Sequence, residues 1–306
     1  MSAPITVIGS LNMDFVVQVE RLPRPGETVL SGGFASIPGG KGANQACAAG
    51  KLGGRVRMVG RVGDDAFGER LRAGLADVGV DTSAVRMTEA TPSGVALIFV
   101  EAGGQNQIVV ASGANGLLTP ADVTRALGSA ESGLLLLQLE SPLETIEQAA
   151  RLGNGRGMTV LLDPAPARPL SNELLAHVTC LTPNENEAMM LLDRRAAAVS
   201  LAEAAEVARG LRARGPRAVI LKLGDQGAFL DDGTGGRHFP GLKVDAVDTT
   251  AAGDTFGGAL AVALAEGRAL PEAIGFANAA AALSVTRHGA QASIPTRSEV
   301  DALLAR

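Results

Sequence analysis

The sequence has 306 residues, of which 46% are hydrophobic and 19% are charged, and its formal net charge is −5. A chain of this length can bury a substantial core without disulfides, and no apolar run approaches the roughly 20 residues of a membrane-spanning helix. The negative charge and the absence of Trp and Tyr argue against nucleic-acid binding. We therefore expect a soluble protein that binds small molecules, with neither nucleic acid nor a membrane as its partner.

Apolar strand-like runs alternate with stretches of helical periodicity along most of the chain. The first strand, at residues 5–9, follows the N-terminus without a basic leader segment, which predicts a cytoplasmic location. Further strands are predicted over residues 56–62, 134–139, 158–163, 178–182 and 218–223, and helices over 43–52, 66–78, 142–152, 200–213, 254–266 and 271–285. This alternation predicts an α/β fold with a mostly parallel sheet covered by helices on both faces.

Two regions interrupt this alternation, residues 14–38 and residues 93–112. In the second, apolar runs that begin at Gly94 and Gln107 flank a glycine-containing turn at residues 102–106, which is a hairpin pattern. Two hairpins without helices of their own predict a small β-lid over one end of the sheet. Because we find no internal repeat and no long linker, we expect a single domain over residues 1–306, with the lid formed by about residues 12–38 and 93–112.

Polar residues follow two of the predicted strands. Asn12 and Asp14 come after the first strand, and Glu140 comes after the strand at 134–139. Ligands of open α/β sheets bind at the carboxyl ends of the strands, so these three groups could hold several hydroxyls of a sugar. Each of them alone is also an ordinary polar loop residue. No Gly-x-Gly-x-x-Gly motif follows the first strand, which argues against a dinucleotide-dependent oxidoreductase.

A glycine cluster, Gly39-Gly-Lys-Gly-Ala-Asn-Gln45, precedes the first helical pattern but lacks the Gly-x4-Gly-Lys-Ser/Thr spacing of a P-loop. Its glycines allow the backbone to approach a polyol closely. Lys41 supplies a cation, and Asn44 supplies an amide that can distinguish hydroxyl patterns. A flexible loop with a solvated lysine is the alternative.

Residues 247–260 combine small side chains with the abrupt start of an apolar helical pattern. The first N–H groups of such a helix are unpaired, so Ala251, Ala252 and Gly253 can present amides to a phosphate. Asp254 lies beside this anion site, where its carboxylate could accept the proton of an attacking hydroxyl. The alternative is that Asp254 is only a helix N-cap, which is the ordinary role of such a residue.

Asn184 and Glu187 lie on the first turn of a further predicted helix. Glu187 could hold a hydrated Mg²⁺, which prefers one or two carboxylates together with waters and phosphates. A capping box is the competing interpretation of this pair. Residues 221–229 predict a strand, a glycine-bounded turn and a second strand, which is either a shelf for a nucleotide or a simple hairpin.

Together, the glycine cluster, Asn184-x-x-Glu187 and Asp248-Thr-x-Ala-Ala-Gly-Asp254 resemble, in this order and spacing, the PfkB carbohydrate kinase superfamily. The resemblance covers almost the whole chain, and Lys41 within the first motif narrows it to the ribokinase branch. It implies a ribokinase-like three-layer sandwich, whose β-lid often doubles as a dimer interface, so a homodimer through the lid is expected.

The resemblance also implies roles for individual residues. The residues that would bind sugar are Asn12, Met13, Asp14, Gly40, Lys41, Gly42, Asn44 and Glu140, with Asp254 as the base for the 5-hydroxyl and Ala251, Ala252 and Gly253 as the anion hole. The residues that would line the ATP site are Asn184, Glu187, Lys222, Leu223, Gly224, Asp225, Gln226, Gly227, Gly253 and Asn278, with Glu187 also reaching Mg²⁺ through water. The residues that would surround K⁺, several through backbone carbonyls, are Asp248, Thr250, Ser284, Arg287, Gly289 and Ser293.

The sequence departs from the family pattern at two positions. Lys222 stands where a threonine is expected, and Asp163 stands where relatives often carry Asn. The implied reaction is the ATP-dependent phosphorylation of D-ribose at its 5-hydroxyl, giving D-ribose 5-phosphate and ADP, with Mg²⁺ on the phosphates and K⁺ as an activator. A kinase for another pentose or a nucleoside is one alternative. A non-catalytic sugar-binding regulator is another, but it would require loss of the base, the anion hole or the Asn-x-x-Glu pair, and all three are intact.

Overall fold

The structure is a computed structural model that describes residues 2–101, 106–128, 130–195 and 197–305. The predicted turn of the second hairpin falls largely on residues 102–105, which lie outside these ranges. In chain order the elements are β1 (Ile5–Ile8), β2 (Asn12–Val19), β3 (Gly33–Gly39), α1 (Lys41–Lys51), β4 (Val56–Gly63), α2 (Ala66–Asp77), β5 (Asp81–Thr88), β6 (Gly94–Glu101), β7 (Asn106–Ala111), α3 (Pro120–Gly128), β8 (Leu134–Leu137), α4 (Leu143–Gly155), β9 (Thr159–Leu162), α5 (Asn172–Ala176), β10 (Cys180–Leu181), α6 (Glu185–Leu191), α7 (Leu201–Arg212), β11 (Ala218–Lys222), β12 (Ala228–Asp231), β13 (Arg237–Phe239), α8 (Ala252–Ala265), α9 (Leu270–Ser284) and α10 (Arg297–Leu304).

Within the described ranges, nine strands form one sheet in the order β13-β12-β11-β10-β9-β8-β1-β4-β5, and only β12 runs in the opposite direction to the others. The side chains of β1 alternate between two cores. Val7 packs with α1, α2, α8, α9 and α10 on one face, and Ile8 packs with the helices α3 to α7 on the other. The central strands are therefore apolar throughout, as in Leu134–Leu137. The predicted α/β class, with helices on both faces of a mostly parallel sheet, is confirmed.

The sequence analysis does not predict five elements, β5, β13, α3, α5 and α10, of which β5 and α3 are instructive. β5 lies at the sheet edge, where only Val85 of its eight residues is buried, so it lacks the apolar run that marks the central strands. α3 is short, but two hydrogen bonds of 3.2 Å close its first turn. The Thr119 N–H donates to Asp122 Oδ2, and the Asp122 N–H donates to Thr119 Oγ1. Thr119 followed by Pro120 was the available signal for a helix start.

The second sheet has the strand order β3-β2-β6-β7. It consists of two antiparallel hairpins joined by the parallel pairing of β2 with β6, in which Asn12 lies opposite Gly94. β2 begins four residues after β1 ends, so this sheet starts at the carboxyl edge of the larger one. Phe15 of β2 packs edge-on against Phe67 of α2, with ring centroids 5.5 Å apart. Over the residues described, no helix combines the length and the apolar character needed to cross a membrane.

Candidate active site

Polar residues from several strands meet at the carboxyl edge of the larger sheet. The Glu140 carboxylate connects three of them. Its Oε2 accepts hydrogen bonds from Ser10 Oγ at 2.6 Å and from the Lys41 N–H at 3.1 Å, and Asn12 Nδ2 lies 3.5 Å away. Asn115, which is 1% exposed, holds Asn12 by donating from Nδ2 to its Oδ1 at 2.7 Å. Asn115 is a site residue that the sequence analysis misses.

The glycine cluster is closely packed and is not a flexible loop. Gly40 is the N-cap of α1 with a φ of 86°, and a Cβ at this position would lie 2.7 Å from the Asn12 nitrogen. A Cβ at Gly39 would lie only 1.9 Å from Asp14 Oδ2. These two glycines therefore let the start of α1, Asn12 and Asp14 share one small space. The solvated-loop alternative is wrong, because the first turns of α1 are buried.

Asp14 presents a buried carboxylate to this space. The residue is 7% exposed, and within the described ranges we find no hydrogen-bond donor to its oxygens. Burial, followed by the nearby carboxylates of Glu140 and Asp254, raises the pKa of Asp14 from 3.8 to about 7, and Lys41 opposes this rise. Such an acceptor is suited to the hydroxyl donors of a sugar.

Asp254 is held by a neighbouring helix. The N-cap of α8 is Ala251, so the interpretation of Asp254 as an N-cap is wrong. Its Oδ2 accepts a hydrogen bond from Asn44 Nδ2 at 2.9 Å, and its Oδ1 accepts one from Gln45 Nε2 at 3.1 Å. Burial raises the pKa of Asp254 above its ordinary value, although Lys41 opposes the rise. The result is an oriented, buried carboxylate of increased basicity beside a helix N-terminus.

Gln45 joins the two most buried carboxylates of the site, and the sequence analysis does not assign it a role. Its Nε2 donates to Asp163 Oδ2 at 2.9 Å as well as to Asp254, and its Oε1 accepts from Gln138 Nε2 at 2.6 Å. Asp163 Oδ1 in turn accepts from Lys222 Nζ at 2.8 Å. A continuous chain of hydrogen bonds therefore runs from Lys222 to Asp254.

Lys41 and Asn44 offer further groups to a ligand. Burial alone would lower the pKa of Lys41, but the carboxylates of Asp254, Asp163 and Glu140 raise it above its ordinary value. Lys41 is therefore a cation. The Oδ1 atom of Asn44 is buried and has no hydrogen-bond partner among the described residues. An unpaired buried oxygen costs about 1–3 kcal/mol, so a ligand hydroxyl that donates to it would recover that energy.

The turn into α8 has an unusual backbone. Ala251 has a φ of 59°, in the left-handed region that residues other than glycine rarely adopt. The Ala252 N–H is bonded inside the turn, to the Thr249 carbonyl oxygen at 3.2 Å. At Gly253 a Cβ would lie 3.3 Å from Lys222 Nζ, so an ammonium group lies against the first turn of α8. The prediction of an unpaired amide is therefore wrong for Ala252, and the positive charge lies beside the first turn of α8 at Gly253.

The residues predicted to line the ATP site include Asn184 and Glu187. Asn184 and Glu187 build a capping box on α6, in which each side chain accepts the other's N–H, at 2.8 and 2.7 Å. The capping interpretation is therefore correct for their local geometry. Burial raises the pKa of Glu187 against the opposing effect of Lys222, and Asp163 adds to the rise. Glu187 and Lys222 therefore lie close enough to interact electrostatically.

An exposed 3-10 turn over Gly224–Gln226 follows β11, at the position predicted for a nucleotide shelf. The Leu223 N–H closes this turn on the Gly227 carbonyl oxygen at 2.8 Å. Asn278 of α9 is 8% exposed, and its Nδ2 lies 3.3 Å from the carbonyl oxygen of Phe239 at the end of β13. The Gly241 N–H, two residues after Phe239, donates to the Gln226 carbonyl oxygen at 3.2 Å. The turn and α9 therefore both contact the segment at the end of β13.

Among the residues predicted to bind sugar, Met13 is an exception. Its side chain is fully buried in the core, so only its backbone can face a ligand.

The residues assigned to K⁺ come from two loops that Asp248 ties together. Asp248 Oδ2 accepts the Gly289 N–H and its Oδ1 accepts the Thr250 N–H, both at 2.9 Å. Burial alone would raise the pKa of Asp248, but these hydrogen bonds hold it below its ordinary value. The hydroxyls of Ser284 and Ser293 donate to carbonyl oxygens three residues earlier, at 2.8 and 2.9 Å. The two loops therefore offer one carboxylate and backbone carbonyl oxygens, which are oxygen ligands of the kind that a hard cation accepts.

Two assigned cation residues have other partners in the structure. The Arg287 guanidinium pairs with Glu299, so only its backbone is available to a cation. Both oxygens of Glu187 accept hydrogen bonds from Asn184, which fits contact with Mg²⁺ through water better than direct ligation. Among the residues described, no group of three or more His, Cys, Asp or Glu side chains could hold a metal ion directly.

The ribokinase-like sandwich carries an oriented, buried carboxylate at a helix N-terminus. This combination is that of a kinase that acts on small hydroxyl compounds, and comparison with known proteins supports this class. The sequence matches the family described as pfkB family carbohydrate kinase over residues 2–297, and the chain belongs to that family. A ribokinase of Bacillus subtilis is 44% identical over 98% of this chain and 99% of its own length. A deoxyribokinase of Salmonella typhi is 38% identical, with 95% of each chain covered. The structure of Arabidopsis thaliana ribokinase complexed with ribose and ATP matches all of this chain and all of its own, with a TM-score of 0.90 and 35% identity.

Proposed function

We propose that the protein transfers the γ-phosphoryl group of ATP to the 5-hydroxyl of D-ribose, giving D-ribose 5-phosphate and ADP. The observation that carries this proposal is the buried Asp254 carboxylate, oriented by Asn44 and Gln45 at the N-terminus of α8. The ribokinase relatives, and the A. thaliana ribokinase complexed with ribose and ATP, support the choice of both substrates.

In the proposed mechanism, Asp254 accepts the proton of the 5-hydroxyl while that oxygen attacks the γ-phosphorus. The bond from the γ-phosphorus to the bridging oxygen breaks, and its electron pair leaves with ADP. Free amides of the turn at residues 251–253 and the positive end of α8 stabilise charge on the transferred group. The raised pKa of Asp254, caused mainly by burial, makes its carboxylate a stronger proton acceptor than an exposed aspartate.

The sugar-side residues select a substrate with vicinal hydroxyls. Asp14 and the unpaired Oδ1 of Asn44 accept hydrogen bonds from hydroxyls, while Asn12 and Lys41 donate. A 2-deoxy sugar leaves one group unsatisfied, at a cost of about 1–3 kcal/mol, or roughly 5- to 150-fold in kcat/KM. Deoxyribose is nevertheless the second candidate substrate, because a deoxyribokinase is 38% identical to this chain. Another pentose or a nucleoside remains a further alternative within the family.

Two cations complete the proposal. Mg²⁺, when bound to the phosphates, supplies charge neutralisation, and Glu187 would orient it through water. K⁺ would lie beside the anion hole, held by carbonyl oxygens of the loops that Asp248 joins. We place the reaction in the cytoplasm, where ATP is available.

We also propose that the chain forms a homodimer through the lid, the four-stranded sheet of β2, β3, β6 and β7. Several large apolar side chains on one face of this sheet are solvent-exposed, namely Phe34 at 67%, Leu97 at 44% and Val109 at 61%. Exposed apolar clusters of this kind mark association surfaces. Light scattering should give a dimer for the wild type and a monomer for the double variant Phe34→Ser, Val109→Ser. A monomeric wild type contradicts this part of the proposal.

An ADP-release assay over a substrate panel tests the reaction. Wild-type protein is given Mg-ATP with ribose, 2-deoxyribose, other pentoses or nucleosides, each with and without K⁺, and a reaction without sugar corrects for background hydrolysis. We expect the highest kcat/KM with ribose, and stimulation by K⁺ but less by Na⁺. If kcat/KM with 2-deoxyribose is equal to or higher than that with ribose, the proposal that ribose is the preferred substrate is wrong. No ADP release with any compound in the panel would favour the non-catalytic regulator.

A further inference from the structure

A buried ion pair lies at the phosphate end of the proposed site. Lys222 ends β11, where its backbone N–H donates to the Pro183 carbonyl oxygen at 2.8 Å, and its Nζ lies 2.8 Å from Asp163 Oδ1. The two side chains are only 14% and 3% exposed. The sequence contains four lysines in 306 residues, and two of them, Lys41 and Lys222, belong to this site. Burial of a charged pair is costly and is therefore informative about function.

The position of the ammonium is more specific than the pairing. A Cβ at Gly253 would lie 3.3 Å from Nζ, so Lys222 touches the first turn of α8, where the proposed anion hole begins. Among the described residues, Asp163 is the one hydrogen-bond partner of Nζ. An ammonium has three donors, so two remain for another acceptor. Glycine at position 253 leaves the space in which that acceptor would lie.

Asp163 holds the ammonium in register with the base. Its Oδ2 accepts from Gln45 Nε2 at 2.9 Å, and the same nitrogen donates to Asp254 Oδ1 at 3.1 Å. The Lys222 ammonium and the Asp254 carboxylate are therefore held in a fixed relative position. A cation that acts on the phosphoryl group under attack must be held in this way.

We propose that Lys222 binds the γ-phosphoryl oxygens during transfer, and that Asp163 is the positioning residue for its ammonium. This inference rests on the proposed function and assigns a residue within the same step. The 5-oxygen bonds to the γ-phosphorus, the bridging bond breaks toward ADP, and the hydroxyl proton goes to Asp254. Lys222 transfers no proton. It keeps one hydrogen bond to Asp163 and donates two to the phosphoryl oxygens, where negative charge is carried through the transition state.

The test removes the charge pair without leaving one member unpaired. The double variant Lys222→Gln, Asp163→Asn replaces the ion pair by neutral hydrogen-bonding groups, and Asp163→Asn alone retains the ammonium. We expect kcat of the double variant to fall about 100-fold, with the KM for ribose within about 2-fold of the wild type. Asp163→Asn should lose less, about 10-fold. By calorimetry, the double variant should bind ribose 5-phosphate at least about 10-fold more weakly and ribose unchanged.

A matched control is the double variant Arg212→Gln, Asp231→Asn, which neutralises a partly buried ion pair on α7 and β12 outside the site. It should keep the wild-type kcat. The single variant Lys222→Gln provides a second measure if the double variant does not fold, and it should show the same selective loss. Wild-type kcat in the double variant, or equal losses of ribose and ribose 5-phosphate affinity, would overturn the role of Lys222. Wild-type protein that does not phosphorylate ribose would instead refute the proposed function itself.

Discussion

The variant Asp14→Asn tests whether the ionised Asp14 carboxylate in the proposed sugar site lowers the free energy of unfolding of the sugar-free protein. Burial, with Glu140 and Asp254, raises the pKa of Asp14 from 3.8 to about 7. The folded chain therefore binds more protons than the unfolded chain between these values. The stability that this proton contributes is fully present below 3.8 and is lost as the pH rises through 7. At about 1.36 kcal/mol for each pKa unit, the ionised carboxylate destabilises the free protein by about 4 kcal/mol above pH 7.

Asparagine does not ionise, so this variant escapes the pH-dependent cost. The difference in free energy of unfolding between Asp14→Asn and the wild type should shift by about 2 to 3 kcal/mol in favour of the variant between about pH 5 and about pH 8.5. Urea denaturation without sugar measures it. Ribose affinity of the wild type should decrease as the pH falls below 7, because a protonated Asp14 accepts fewer hydroxyl hydrogen bonds, whereas the affinity of the variant should stay constant.

Asp122→Asn is a control of opposite sign. Burial would raise the pKa of Asp122, but hydrogen bonds from Arg61 and Thr119 hold it at about 2. Its stabilisation is present above 3.8 and is lost only as the pH falls through 2, so its replacement should cost the same at pH 5 and at pH 8.5. If Asp14→Asn behaves like this control, with no dependence on pH, the reasoning about Asp14 is refuted.

Three other substitutions probe separate parts of the site. Gly39→Ala should raise the KM for ribose at least about 10-fold with a smaller effect on kcat, because its Cβ would lie 1.9 Å from Asp14 Oδ2; unchanged steady-state kinetics would contradict the packing argument. Gln45→Met should lower kcat about 10- to 100-fold and destabilise the fold by about 1–3 kcal/mol, because Asp254 loses a donor, and thermal unfolding with kinetics checks both. Asp248→Asn should raise the K⁺ concentration for half-maximal activity several-fold. If that concentration is unchanged, the proposed location of the cation site is wrong.

The fold and the edge on which the site lies follow from local patterns. Apolar runs mark the central parallel strands, and polar residues after such strands must meet at one edge. This places Asn12 and Glu140 together without any knowledge of their contacts. The same pattern does not predict β5, because this edge strand is largely exposed and its polar and apolar residues alternate irregularly.

The roles of individual residues depend on pairings between distant parts of the chain. The local sequence around Asp254 is typical of a helix cap. Only the packing of α1 against α8 brings its carboxylate oxygens to Asn44 and Gln45, some 210 positions earlier in the chain. Gln45 looks like an ordinary residue of an alanine-rich helix. Asn115 lies in a 3-10 turn with no motif around it. No local pattern predicts such contacts, because they require the folded arrangement of several helices.

The most direct test of the central claim is Asp254→Asn, with catalysis and binding measured separately. We predict that kcat for ribose falls at least about 1,000-fold, because the variant lacks a proton acceptor, while calorimetry gives a ribose affinity within about 3-fold of the wild type. Asp231→Asn, at a residue that is 7% exposed and outside the site, should keep the wild-type kcat. A kcat for Asp254→Asn within about 10-fold of the wild type would contradict the assignment of Asp254 as the base.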